Sequence, residues 1–110
     1  MKIQYYGHAG VKIEDDLIIL IDPWLNDNPL ATMKAEEIVK ADYIIATHNH
    51  SDHVDDIPLI AKNTGATVVS ILETAEDLAS KGCKKTIGCN IGGSVKLDGF
   101  ELIFTQAFHS

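Results

Sequence analysis

The sequence predicts an α+β fold, a mixed β-sheet layered with helices, and three observations carry that prediction. An antiparallel meander opens the chain, strand and helix patterns alternate through its middle, and an Asp-Gly pair between two alternating runs marks a hairpin near its end. At 110 residues the chain has the length of a single domain, 1–110, enough to bury roughly two-thirds of its unfolded surface. Apolar residues make up 45% and charged residues 23%, the balance of a globular protein with a core.

The meander reads as K-I-Q-Y-Y, V-K-I-E and L-I-I-L-I, separated by G-H-A-G and D-D. The third run is apolar throughout, which predicts burial on both faces. After D-P-W-L-N-D-N-P-L, the stretch A-T-M-K-A-E-E-I-V-K predicts a short helix with Thr32 as cap and Met33, Ile38 and Val39 on one side. Y-I-I-A-T is the next strand. D-D-I-P-L-I-A-K-N-T-G then reads as a helix capped near Asp55, with Pro58 in its first turn and Gly65 as its stop. A-T-V-V-S-I is a further strand, and T-A-E-D-L-A-S-K-G a helix capped by Thr74 and stopped by Gly82. S-V-K-L and F-E-L-I-F flank the Asp-Gly turn.

Composition also excludes. Nine basic against sixteen acidic residues give a net charge of −7, which disfavours nucleic acid as a partner, because generic binders neutralise phosphates with Lys and Arg. No apolar h-region opens the chain and no apolar stretch reaches the roughly 18 residues of a membrane span, so the expectation is a cytoplasmic protein without a membrane partner. Cys83 and Cys89 form no C-x-x-C pair; without a secretion signal they read as free, buried thiols rather than a disulfide.

Residues 47 to 53 read T-H-N-H-S-D-H, with three of the five histidines inside six positions. Side chains two apart on an extended chain point the same way, roughly 6 to 7 Å apart. His48 and His50 can therefore converge on one metal ion at the roughly 2.0 to 2.1 Å of a zinc–nitrogen bond. Asp52 and His53 come next, where the chain must turn toward a helix, and can face a neighbouring point. Paired metals about 3.5 to 4 Å apart recur in hydrolysis, and the spacing suits a pair of pairs.

T-H-N-H-S-D-H matches the signature of the metallo-β-lactamase superfamily. Y-Y-G-H-A-G-V-K-I before it and L-I-I-L-I-D-P-W-L resemble the branch of metal-dependent hydrolases that includes ascorbate-6-phosphate lactonase-like proteins. The resemblance implies the N-terminal half of a four-layer αββα sandwich. It also implies a metal-activated water acting on an ester, lactone or phosphodiester bond of a small-molecule substrate, with phosphorylated sugar-like molecules in range. His48, His50 and His109 match ligands of a first metal, and Asp52 and His53 match ligands of a second. Asp52 is the catalytic candidate, placed to orient or deprotonate the attacking water. Asp22 matches a supporting aspartate, although a turn residue before Pro23 is the alternative. His8 reads either as a histidine at the mouth of the site or as a surface turn residue, and Trp24 either as pocket lining or as packing. Zn2+ is the expected cofactor, with Mn2+ or Fe2+ as alternatives, in one or two ions.

The family pattern continues beyond these residues, with a later aspartate that bridges both metals and a final histidine for the second. The expectation is therefore a truncated domain that lacks its C-terminal half or forms a homo-oligomer. A non-catalytic metal-binding or interaction module, or an inactive fragment of the hydrolase, is the competing reading.

Overall fold

A computed structural model of the chain describes residues 1–106. Eight strands and three helices succeed one another as β1 (Lys2–Gly7), β2 (Gly10–Glu14), β3 (Ile18–Ile21), β4 (Tyr43–Ile45), α1 (Ser51–Val54), α2 (Ile57–Thr64), β5 (Thr67–Ile71), α3 (Leu72–Ser80), β6 (Thr86–Cys89), β7 (Ser94–Leu97) and β8 (Phe100–Ile103). The first six strands form one sheet in sequence order, and β7 and β8 form a separate hairpin. β1, β2 and β3 are antiparallel, whereas β3, β4, β5 and β6 run parallel. The expected mixed sheet is thus a meander grafted onto βα units.

The core arises from the register. Leu20, Ile44 and Val68 lie side by side across β3, β4 and β5 and are fully buried. They pack with Ile57, Ile60 and Ala61 of α2 and Leu78 of α3 in one apolar cluster. Both helices lie over the same face, as right-handed crossovers between successive parallel strands require. Pro58 stands in the first turn of α2, and Gly65 closes it at φ 73°, a left-handed conformation that glycine adopts without a Cβ penalty.

The opposite face is also apolar. Directly paired positions align Tyr5, Val11, Ile21, Ile45, Val69 and Ile87 in one row, and Ile3, Ile13, Ile19 and Tyr43 in the next. The β7–β8 hairpin covers part of it, where Phe100 meets the Tyr43 ring edge-on at 5.2 Å and the Tyr43 hydroxyl donates to Asp98 at 2.7 Å. The predicted Asp98-Gly99 turn joins its strands. Toward β1 the face is open, with Ile3 70% and Tyr5 64% exposed. The reading of L-I-I-L-I as buried on both sides is corrected accordingly. Ile18 and Leu20 are buried, but Ile19 and Ile21 are only half-buried, because one small hairpin cannot cover six strands.

Two local expectations are also corrected. Thr32 caps no helix: 33–39 holds a single 3-10 turn, Ala35–Glu37, entered from Lys34. Its Ala35 N–H is taken by the Asn26 side chain at 2.8 Å and its Lys34 N–H by Glu37 at 2.7 Å. Val39 is 73% exposed, so the segment lacks an apolar stripe long enough to continue. α2 is entered from Asp56, next to the expected Asp55, behind the short α1. Thr74 sits inside α3, which starts directly from Ile71 of β5 with no intervening loop. The four-residue β6, T-I-G-C, carries no strand pattern in its sequence.

Among the described residues no helix is long and apolar enough to cross a membrane. Both thiols are free; Cys83 is buried and Cys89 partly so. Burial pushes the Cys83 thiol above the usual thiol range, which lowers its reactive thiolate fraction at neutral pH. In the native chain a thiol reagent at pH 7.5 should modify Cys89 first and Cys83 only slowly, with both reacting alike after urea denaturation. Mass spectrometry of a timed labelling series checks the order.

Candidate metal centre

The site lies where β3 and β4 end, at the carboxyl edge of the parallel strands, the usual location of ligand sites in open sheets of this kind. Asp22 comes directly after β3, and 46–50 lead from β4 into α1. Backbone bonds lock the two chain segments together at this edge: the Asp22 N–H donates to Ile45 and the Ala46 N–H to Val69. The Ser70 hydroxyl donates to the Ala46 carbonyl at 2.8 Å. The histidine segment therefore departs from a fixed point.

Asp22 organises that segment. It is buried, and its backbone takes φ 46°, a conformation rare outside glycine that aspartate tolerates better than most residues. One carboxylate oxygen accepts the Thr47 N–H at 2.8 Å. The other accepts the Thr47 hydroxyl and lies 2.8 Å from His53 Nδ1. An aspartate that only made the turn before Pro23 would not be aimed at two residues of the histidine segment; the supporting role is the one its contacts describe.

These contacts also assign tautomers. His53 must donate its Nδ1–H to Asp22, which leaves the ring's lone pair on Nε2. The Thr47 hydroxyl spends its single hydrogen on Asp22, so its oxygen accepts from His48 Nδ1, 2.9 Å away. The His48 lone pair is then also on Nε2. One buried carboxylate thus fixes which ring nitrogen of each imidazole faces inward and turns Nε2 the other way, the arrangement by which a carboxylate orients a metal-binding histidine.

The rings gather closely. His48 lies 4.5 Å from His50 and 4.0 Å from His53, centroid to centroid. His8, from the turn between β1 and β2, lies 5.5 Å from His53 and meets Trp24 edge-on at 5.0 Å. The His8 Nε2 is 2.8 Å from Asp52, whose other oxygen is 3.7 Å from His53 Nε2. The bond from His8, and the nearby His53, hold the Asp52 carboxyl below the usual carboxylate range, so it is an anion at neutral pH.

His48, His50, Asp52 and His53 lie together in one cluster with His8 and Asp22 beside them, and the close donor groups join His53 to Asp52 and His8 and to His48 and Asp22. Trp24 serves as a wall for the His8 ring. His109, the third expected ligand of the first metal, lies outside the described residues. Two contributors escape a reading of the sequence. Thr47 stands inside the quoted motif, yet its role depends on Asp22, twenty-five positions away. Asp56 is buried and accepts the N–H groups of Leu25 and Asn26 at 2.6 and 3.0 Å, pinning the D-P-W-L loop to the start of α2. Its only signal is the D-D pair at 55–56, which reads as a helix cap.

The donor set fits a divalent transition metal. Two groups of three offer ligand atoms all within 4.8 Å of one another: His8, Asp52 and His53, and Asp22, His48 and His53. Imidazoles with one accessible carboxylate are the donor types that transition metals accept, whereas calcium and magnesium prefer all-oxygen shells.

A family model described as the beta-lactamase superfamily domain matches residues 18–110. This chain belongs to the metallo-β-lactamase superfamily. Its superfamily relatives include a UPF0173 metal-dependent hydrolase of Pelotomaculum thermopropionicum, 46% identical over 109 residues, which cover 99% of this chain and 47% of that protein. A UPF0173 metal-dependent hydrolase of Caldivirga maquilingensis is 48% identical over 111 residues, covering 98% and 48%. Among solved structures, Igni18, a metallo hydrolase from Ignicoccus hospitalis, superposes with a TM-score of 0.87 at 40% identity, over 98% of this chain and 49% of that one. CmlA, a diiron β-hydroxylase from Streptomyces venezuelae, shares the fold alone, with a TM-score of 0.76 at 19% identity over 96% of this chain and 24% of its own. The chain spans about half the length of the curated superfamily relatives it matches.

Proposed function

We propose that this chain carries the metal-binding half of a hydrolase that cleaves an ester, lactone or phosphodiester bond in a small, in some cases phosphorylated, molecule. The observation that supports the reading most is the shared carboxylate of Asp22, which holds His53 Nδ1 directly and His48 Nδ1 through Thr47 and so orients both rings in one cluster. A chain using these histidines only for packing would have no need to specify both.

Zn2+ is the metal the donor set favours, with Mn2+ or Fe2+ as alternatives, in one or two ions held by His48, His50, Asp52 and His53. When bound, such an ion supplies Lewis acidity, bringing water toward ionisation near neutral pH and polarising the substrate oxygen. Asp52 accepts a hydrogen bond from the attacking water and orients it. Its half-exposed carboxylate, anionic through contact with His8, can also take the water's proton. Asp22 and Thr47 hold the imidazoles in place throughout. The apolar rows around Ile3, Ile13 and Ile19 would pack against the remainder of a complete enzyme or a second copy.

The test is hydrolysis of three chromogenic probes by the purified chain: an aryl phosphodiester, an aryl ester and a γ-lactone. Turnover of at least one should vanish with chelator, return with Zn2+ or Mn2+, and fall about 100-fold or more in Asp52→Asn. Turnover indifferent to the chelator, or unchanged in Asp52→Asn, would contradict the reading. Metal retained without turnover of any probe would favour the non-catalytic metal-binding module.

A further inference from the structure

We propose that His8 is a protein ligand in its own right, completing with Asp52 and His53 a second cation site distinct from the one that His48 and His50 serve. This rests on the reading of the cluster as a metal centre and adds a member from a different part of the chain. The ligand class is a divalent transition metal that accepts imidazole and carboxylate together.

Geometry carries the inference. Two donors on a common ion at roughly 2.0 to 2.2 Å lie at most about 4.4 Å apart. The Asp52 carboxylate is flanked on one side by His8 Nε2 at 2.8 Å and on the other by His53 Nε2 at 3.7 Å. All three residues offer ligand atoms within 4.8 Å of each other, so a small contraction would enclose an ion. His53 points Nε2 this way because Asp22 holds its Nδ1. The second group of three is less suited to an ion of its own: the Asp22 carboxylate already accepts from Thr47 and His53.

His8 is also presented with care. Its backbone takes φ 59°, in the left-handed region that a histidine occupies at some cost. Its carbonyl accepts the Tyr5 hydroxyl at 2.7 Å, and Trp24 supports its ring from the side. A turn histidine serving no purpose beyond solubility would gain nothing from a strained backbone, two aromatic contacts and an aim at Asp52. The His8 and Asp52 side chains are each 40% exposed, which leaves a route for an ion to enter from solvent.

The experiment is titration of the metal-free chain with Co2+, monitored by visible absorption and calorimetry, for the native sequence and for His8→Asn. Asparagine adopts the left-handed region readily, so the turn is kept while the imidazole is lost. Circular dichroism checks that the variant is folded, and His8→Asp, which restores an anionic ligand, is the rescue. Two Co2+ equivalents are expected in the native chain. His8→Asn should weaken one of them by more than the roughly 10- to 100-fold that loss of a mere supporting partner costs. The other should be unchanged, and His8→Asp should recover much of the loss. Two equivalents bound equally well by His8→Asn would overturn the role of His8 and leave the metal centre standing, as would a single native equivalent indifferent to His8. No Co2+ bound by the native chain would overturn both.

Discussion

Replacing Asp22 with alanine is expected to be among the most damaging single changes in the chain. It leaves the Thr47 N–H, the Thr47 hydroxyl and His53 Nδ1 without their acceptor inside a buried site. Each such loss costs about 1 to 3 kcal/mol, so the variant should lose on the order of 3 kcal/mol or more in urea unfolding. Metal affinity should fall roughly 10- to 100-fold, the usual effect of removing the carboxylate behind a ligating histidine. Asp22→Asn separates the two effects. Asparagine fills the same space and its oxygen can still accept the Thr47 N–H, so much of the stability should return. Its amide donates where the carboxylate accepted, which draws the His53 lone pair to Nδ1 and puts the proton on Nε2. Affinity should therefore stay low. Asp22→Asn with native metal affinity would show that the tautomer assignment is wrong.

Truncating Ile44 to alanine should destabilise the fold by about 2 to 5 kcal/mol, the range for buried isoleucine and leucine in well-packed cores. Ile44 is fully buried at the centre of the sheet, between Leu20 and Val68. β4 also delivers the histidine segment. A cavity there removes contacts from α2 and loosens the point at which His48 departs. Ile44→Val, which removes one methylene, should lose only about 0.5 to 1.5 kcal/mol. Urea midpoints at unchanged slope check both. A loss below about 1 kcal/mol for the alanine variant would mean that Leu20, Ile44 and Val68 do not form a packed core.

What the sequence discloses depends on how local the determining physics is. The strands are legible because alternation and short apolar runs record burial directly, and the Asp98-Gly99 turn because its chemistry lies in two adjacent residues. The helix expected within 31–40 fails because its backbone is held by Asn26 and its own Glu37, partners that periodicity does not register. Thr74 fails as a cap because α3 starts at the end of β5, earlier than the nearest capping residue suggests. β6 escapes notice because four residues that include a glycine carry little pattern.

The site divides in the same way. His48, His50, Asp52 and His53 are legible as candidates because their spacing fits within six residues. Asp22 and His8 are visible as candidates, but only the fold decides between their alternatives, by bringing one beneath His53 and the other against Asp52. Thr47 and Asp56 act on partners 25 and 31 positions away, and nothing adjacent to them in the chain announces it.

The most direct test of the central claim is elemental analysis of transition metals on the chain purified without added metal and after incubation with Zn2+ or Mn2+. At least one equivalent per chain is expected, and the His48→Ala, His50→Ala double variant should lose the equivalent that those two histidines hold while its circular dichroism stays native. Near-zero metal in the native chain after incubation, or full retention in the double variant, would contradict the assignment of these histidines to a metal centre.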